Sequence, residues 1–180
     1  MKIIETPRLL LRRTNIEEYY NVFENYNQAE IMTYFGFTTE EQFLEEKKKY
    51  DGGITNYRTS MVYFHLIEKQ SNKIIGTCAF HNWFAQHSRA EIGYHMQNEE
   101  SKNKGYMKEA MLPVLDYGFN EMKLNRIEAF IGTQNIPSQR LVKHYGFIQE
   151  GHLRDHYCKD GVIEDSLVFG LLKKDFHQTL

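Results

Sequence analysis

"NEESKNKGYMKEAMLPVLDYGF", residues 98–119, changes character at one glycine, Gly105. Before it runs a polar loop dotted with lysines. After it, Met107, Ala110, Met111, Val114, Leu115 and Gly118 recur at i, i+3 or i+4, which predicts a helix from about Lys104 to Phe119. Pro113 falls inside that helix, removes one hydrogen bond and predicts a bend. A helix start presents unpaired amides and the positive end of the dipole. Glycine lacks the Cβ that would keep a ligand from the backbone, and Lys102, Lys104 and Lys108 add charge around the same turn. Two readings stay open from this stretch alone: a solvated loop leading into an ordinary helix, or a cradle of amides for a phosphate. The nucleotide-binding Gly-Lys-Ser/Thr ending and the multi-glycine dinucleotide pattern are both absent from it.

Outward from this segment the chain reads as a mixed α/β protein. "RLLLRR" (8–13) predicts a strand, and "TNIEEYYNVFENY" (14–26) a helix capped by Thr14 or Asn15. Thr38 or Thr39 opens a second helix, and Thr38 with Glu41 matches a capping box. "MVYFHLIE", "KQSNK" and "IIGTCAFHNW" read as strand, turn and strand. "RAEIGYHMQ" (89–97) predicts a strand with Glu91, Gly93 and His95 on one face and Ile92, Tyr94 and Met96 on the other. "LNRIEAFIG" is a further strand, reached by a helical crossover that suits parallel pairing. "IPSQRLVKHYGF" is a short helix with Pro137 in its first turn. A closing pair of strands flanks "CKDG", where Asp160-Gly161 suits a tight turn.

Composition narrows the class. The 180 residues suit one domain, residues 1–180, with one substantial core, and 41% hydrophobic with 14% aromatic residues exclude a disordered chain. A net charge of −2 argues against a protein that tracks nucleic-acid phosphates. The apolar start is broken by Glu5, Pro7 and Arg8, and no run is long enough to span a bilayer, so a cytoplasmic protein without membrane contact is expected. Cys78 and Cys158 have neither metal nor redox spacing and read as reduced thiols; no metal site is expected.

A second segment shifts the balance toward the cradle. "NIPSQRLVKHYGF" follows the next strand, with Asn135 at a strand end, Ser138 in the first helical turn and Gly146-Phe147 at the helix end. Together the two segments resemble the GNAT superfamily of acetyl-CoA-dependent N-acetyltransferases. The phosphate motif Arg/Gln-x-x-Gly-x-Gly/Ala falls on "KNKGYM", and "N-x-x-S…G-F" falls on Asn135, Ser138, Gly146 and Phe147. Here Lys102, Asn103 and Met107 replace the usual residues; backbone donors tolerate this, although Met107 is bulkier than alanine. "ETPRLLLRR", "AEIGYHM", "KGYMKEAM", "LNRIEA" and "EDSLVFGLL" extend the resemblance over nearly the whole chain, to the branch of RimJ/RimL-type ribosomal-protein N-terminal acetyltransferases.

That resemblance implies a mostly antiparallel twisted sheet flanked by helices, with a V-shaped splay between the fourth and fifth strands. It implies pantetheine along His95 and Met96, and pyrophosphate on the amides of Asn103, Lys104, Gly105, Tyr106, Met107 and Lys108. Asn135 and Ser138 would contact coenzyme, and a backbone N–H near Met96 would hold the oxyanion formed by direct attack on the thioester. Glu91 or His95 is the expected base, with a paired sheet-surface carboxylate as the plain alternative for Glu91. His152 and His156 are further candidates, or simply solvated or packed histidines. Many relatives place an acidic tyrosine four residues past the serine; that slot is Val142, Tyr145 matches a position that packs inward, and Ser138 is left as thiolate donor. The expected acceptor is a protein N-terminal α-amine, for instance of a ribosomal protein. A small amine such as a polyamine or antibiotic, or a non-catalytic acyl-CoA-binding module, is the alternative. A homodimer is common in the family.

Overall fold

The computed structural model describes residues 2–53, 61–159 and 161–177. Its strands are β1 (Lys2–Glu5), β2 (Leu9–Asn15), β3 (Val62–Glu68), β4 (Lys73–Phe84), β5 (Arg89–Met96), β6 (Arg126–Gly132), β7 (Ile148–Lys159) and β8 (Val162–Leu172). The helices are α1 (Ile16–Asn25), α2 (Gln28–Phe35), α3 (Glu40–Gly52), α4 (Tyr106–Asn120) and α5 (Ile136–His144). The strands form one sheet in the order β1-β2-β3-β4-β5-β6-β8-β7. Every pairing is antiparallel except β5 with β6, where the α4 crossover makes the strands parallel.

Alternation along the strands sorts the sheet into two faces. Leu11, Phe64, Phe80, Ile92, Ile127 and Phe169 join one core with Met111, Val114 and Leu115 of α4 and Val142 of α5. Gly118 lets α4 settle on the sheet: a Cβ there would stand 2.6 Å from Phe80 Cζ. A separate aromatic cluster, Tyr19, Val22, Ile31, Phe35 and Phe43 with Tyr63 beside it, packs α1–α3 against the opposite face.

The parallel pair positions the site. β5 and β6 are in register only at Arg89↔Arg126, Ala90↔Ile127 and Glu91↔Glu128. Beyond these rungs the two strands no longer pair with each other, although they run on to Met96 and to Gly132. This is the expected splay. The short β1 comes ahead of the "RLLLRR" strand, so the expected fourth and fifth strands are β5 and β6.

Two local details differ from the sequence reading. α2 lies where no element is expected, although Asn27 and Glu30 form a reciprocal capping box that starts it. α3 is capped by Thr39 with Gln42 rather than by Thr38 with Glu41. Gln42 Oε1 also accepts from the Thr38 amide at 2.7 Å, which uses the Gln42 side chain for both threonines. α1 takes Asn15 of the two candidate caps, with Glu18 answering it. α4 runs through Pro113 without a break in its helical residues. Asp160 of the closing turn lies outside the described residues; Gly161 has φ +79°.

Candidate active site

β5 feeds α4 and β6 feeds α5, so both helix N-termini stand at the carboxyl ends of the splayed strands. Such an opening is where ligands enter parallel sheets. Strand alternation aims the backbone of β5 as well. The Gln97 amide bonds the Ile75 carbonyl at 2.9 Å, on the β4 side. The amide and carbonyl of Met96, and of Tyr94 two residues earlier, therefore turn toward the β6 side. That side is the splay.

The α4 start has the form of an anion cradle. Asn103 (φ +58°) and Gly105 (φ +78°) are both left-handed, on either side of Lys104. A Cβ at Gly105 would meet only Arg8 Nη2, at 3.6 Å, so its backbone angle and not crowding asks for glycine here. No side chain caps this helix. The first amide to reach a carbonyl is that of Glu109, on Gly105 at 2.9 Å; among the described residues those of Tyr106, Met107 and Lys108 stay available. These donors suit a pyrophosphate. The Met107 side chain packs against the core.

Arg8, which the sequence reading did not single out, braces the cradle. Its Nη1 donates to the Lys104 carbonyl at 3.0 Å, and its guanidinium stacks 4.5 Å from the Tyr106 ring centroid. Against the burial that would raise its pKa, Glu109 is held low by bonds from the Thr6 hydroxyl and from the amide and guanidinium of Arg8. Lys102 is engaged by Glu99. Lys108 lines a cavity of about 440 Å³ with Arg8, Gly105 and His144.

At the second helix start, Asn135 Oδ1 caps α5 by accepting from the Ser138 amide at 3.2 Å. The Ser138 side chain lies beside the Tyr94 hydroxyl, and its hydrogen bond opposes the burial that raises the Tyr94 pKa. The Tyr94 hydroxyl donates to the Ser138 carbonyl at 3.3 Å, and burial pushes Tyr94 up to about 12. Val142 is fully buried. Tyr145 packs inward and donates to the Lys108 carbonyl, with its pKa pushed up to about 12 by burial. Cys78 is buried and its thiol is pushed up to about 12, while Cys158 is exposed; both are free.

Across the splay from α4 lies a cleft of about 1130 Å³. Its walls include His81, Asn82 and Glu91 on one side and His156, Glu164 and Asp165 on the other, with Phe130 and Asn135 between them. Glu91 accepts from Asn82 Nδ2 at 2.9 Å, and His81 Nδ1 lies 3.6 Å from the same oxygen. The neighbouring Glu128 is instead clasped by Arg89 (2.9 Å) and Arg126 (2.8 Å). His95 is not among the lining residues of this cleft. It sits 3.0 Å from the Thr77 hydroxyl, with its pKa lowered by desolvation and by Lys49 against the opposing pull of Glu46. His152 pairs with Asp165 at 2.7 Å and His156 with Ser166 at 3.0 Å. A register shift between Leu153 and Tyr157, with Asp155 at φ +50°, separates their environments.

The comparisons with known proteins agree with this geometry. The acetyltransferase (GNAT) domain family matches residues 8–148. An uncharacterized N-acetyltransferase, p20, of Bacillus licheniformis is 31% identical over 98% of this chain and 99% of its own. A GNAT-family acetyltransferase structure from Bacillus anthracis is 30% identical and superposes with a TM-score of 0.66, covering 96% of this chain and 99% of that one. Some relatives have names that specify an acceptor. The [ribosomal protein uS5]-alanine N-acetyltransferase of Escherichia coli is 29% identical over 65% of this chain and 60% of its own. The spermidine N(1)-acetyltransferase of Vibrio cholerae is 24% identical over 86% of each chain. With its cradle, splay and matching domain, the chain belongs to the GNAT acetyltransferases and is an acetyl-CoA-dependent N-acetyltransferase.

Proposed function

We propose that this enzyme acetylates the α-amine of a protein N-terminus, a ribosomal protein being the first candidate. The observation behind this reading is the size of the cleft. Its volume of about 1130 Å³ exceeds the roughly 300–1,000 Å³ of ordinary small-molecule sites, which leaves room for several residues of a peptide. An α-amine also asks little of the enzyme. Its pKa is about 7.7–8.0 against about 10.4 for lysine, so on the order of a tenth is neutral at pH 7.

In this reading, acetyl-CoA supplies the activated thioester carbonyl. The amides of residues 103–108 hold its pyrophosphate, and the backbone of Met96 guides its pantetheine arm. The His95 backbone faces Thr77 of β4 and is not free for that role. The Met96 amide, aimed into the splay, stabilises negative charge on the carbonyl oxygen. Ser138 Oγ donates to the departing thiolate, and Asn135 keeps the start of α5 in place. Glu91, in the cleft wall, accompanies the amine; His95 lies on the same strand face, beyond that wall.

The polyamine reading draws on a different observation. Glu91, Glu164 and Asp165 line the cleft, and no Lys or Arg is among its described lining residues. Such a wall also favours a peptide that carries a cation near its N-terminus. Thiol release from acetyl-CoA, measured with ribosomal-protein N-terminal peptides, the same peptides N-terminally blocked, and spermidine, separates the two. Higher kcat/KM on free peptides, abolished by blocking, supports the proposal; preference for spermidine overturns it.

A further inference from the structure

We propose that His81, held by Glu91, takes the proton from the acceptor amine. The inference rests on acetyl transfer at the cleft and adds a residue and a role. His81 and Glu91 face each other across β4 and β5 as direct cross-strand partners. The β4 register then shifts between His81 and Phe84, and Asn82 adopts φ +48°. Bulges of this kind re-aim side chains beside active sites. Here the shift accompanies the bond from Asn82 Nδ2 to Glu91 Oε2, at 2.9 Å, which fixes the carboxylate.

His81 Nδ1 faces that carboxylate oxygen at 3.6 Å. The other ring nitrogen lies over Gly93, where a Cβ would stand 2.8 Å from Nε2 and push the ring from its present place. Gly93 is two residues past Glu91, the last β5 residue paired with β6. Nε2 is thus carried over the splayed part of β5, and among the described residues it has no hydrogen-bond partner. Glu91 lacks the arginine clasp that neutralises Glu128, so its charge is free to stabilise an imidazolium. The other titratable groups lining the cleft, His156, Tyr157, Glu164 and Asp165, stand on its opposite wall.

The chemistry balances. The ammonium group of the acceptor gives one proton to His81 Nε2, and the freed lone pair forms the N–C bond at the thioester carbonyl. The C–S bond breaks with its electron pair on sulfur. The second nitrogen proton goes to that thiolate, and His81 returns its own proton to water. Histidine suits this exchange because its charge changes between pH 5 and 8. Glu91 acts through the ring as a positioning residue.

The test uses the full-length enzyme, acetyl-CoA, and an amine from the panel of free peptides and spermidine on which the wild type releases thiol. Wild-type preference within the panel judges the acceptor, and variant-to-wild-type ratios judge His81. His81→Gln should lower kcat by roughly 100-fold near pH 7, in the range of a lost general base. Its deficit should shrink as pH rises toward the acceptor amine's own pKa (about 8 for a peptide N-terminus, about 10.4 for a lysine-like amine). Calorimetric acetyl-CoA affinity should stay within about twofold, as it should for a residue that does not bind coenzyme. Glu91→Gln should show the same pH-dependent pattern with a smaller loss. Asn82→Ala provides a second route should His81→Gln fold poorly, and should lower kcat with little change in acetyl-CoA affinity. A His81→Gln enzyme within about threefold of wild type, or one whose deficit is the same at every pH, overturns the proposal.

Discussion

The Tyr94 hydroxyl meets the Ser138 carbonyl at 3.3 Å, a bond that spans the splay from β5 to the first turn of α5. It ties the strand that would guide the coenzyme to the helix that would carry the proposed thiolate donor. Burial pushes the phenol up to about 12, so it remains a neutral donor at physiological pH. Tyr94→Phe should cost about 0.5–1.5 kcal/mol of stability, the usual worth of one such bond. It should also raise KM for acetyl-CoA. Urea unfolding and steady-state kinetics check both effects, and a variant unchanged in both would show that the bond carries nothing.

At Gly105, φ is +78°. Gly105→Val should cost about 1–2 kcal/mol in backbone strain and place two methyl groups beside the waiting amides. Acetyl-CoA affinity should fall at least about tenfold, equivalent to about 1.4 kcal/mol. Gly105→Asn tolerates the left-handed angle and should lose less. Calorimetry on the folded variants is the measurement, and equal affinities would remove the cradle from the mechanism.

Ser138→Ala separates chemistry from binding. Loss of a hydrogen bond to a charged group is worth about 1.5–3 kcal/mol, or roughly 10- to 100-fold in rate. That loss should fall on kcat, with acetyl-CoA affinity nearly unchanged. A drop in affinity with kcat preserved would make Ser138 a coenzyme contact only.

His65 predicts an acid limb in stability. It is 2% exposed, with desolvation and Arg12 lowering its pKa to about 3. The unfolded chain binds the proton below about 6.5 while the folded one does not. The stability contribution is therefore fully present above about pH 6.5 and is lost as pH falls toward 3, by up to about 1.4 kcal/mol per pH unit. His65→Gln should flatten that slope in chemical unfolding measured from pH 7 to 4. A variant with the wild-type slope would assign the acid limb to other groups.

Much of the fold is legible in local pattern. Period-two alternation marks β5, a 3.6-residue stripe marks α4, and paired β-rich runs around "KQSNK" mark the β3–β4 hairpin. α2 escapes because its eight residues carry little periodicity, although "NQAE" holds the Asn27–Glu30 box that starts it. The Thr39–Gln42 cap escapes because adjacent threonines offer two registers, and only helix geometry chooses between them.

The site divides along the same line. Gly105, Asn135 and Ser138 lie in short local motifs, where the backbone angle and the cap follow from neighbours in the chain. The sequence by itself therefore determined the left-handed start of α4, the Asn135 cap of α5 and the crossover that makes β5 and β6 parallel. Tertiary structure decided the rest. Arg8 reaches Lys104 from 96 residues away. His81 meets Glu91 only through the β4–β5 register. Glu164 and Asp165 reach the cleft beside Glu91 because β8 lies next to β6 in the sheet. Such contacts depend on which strand lies beside which and in what register, and no local period encodes that choice.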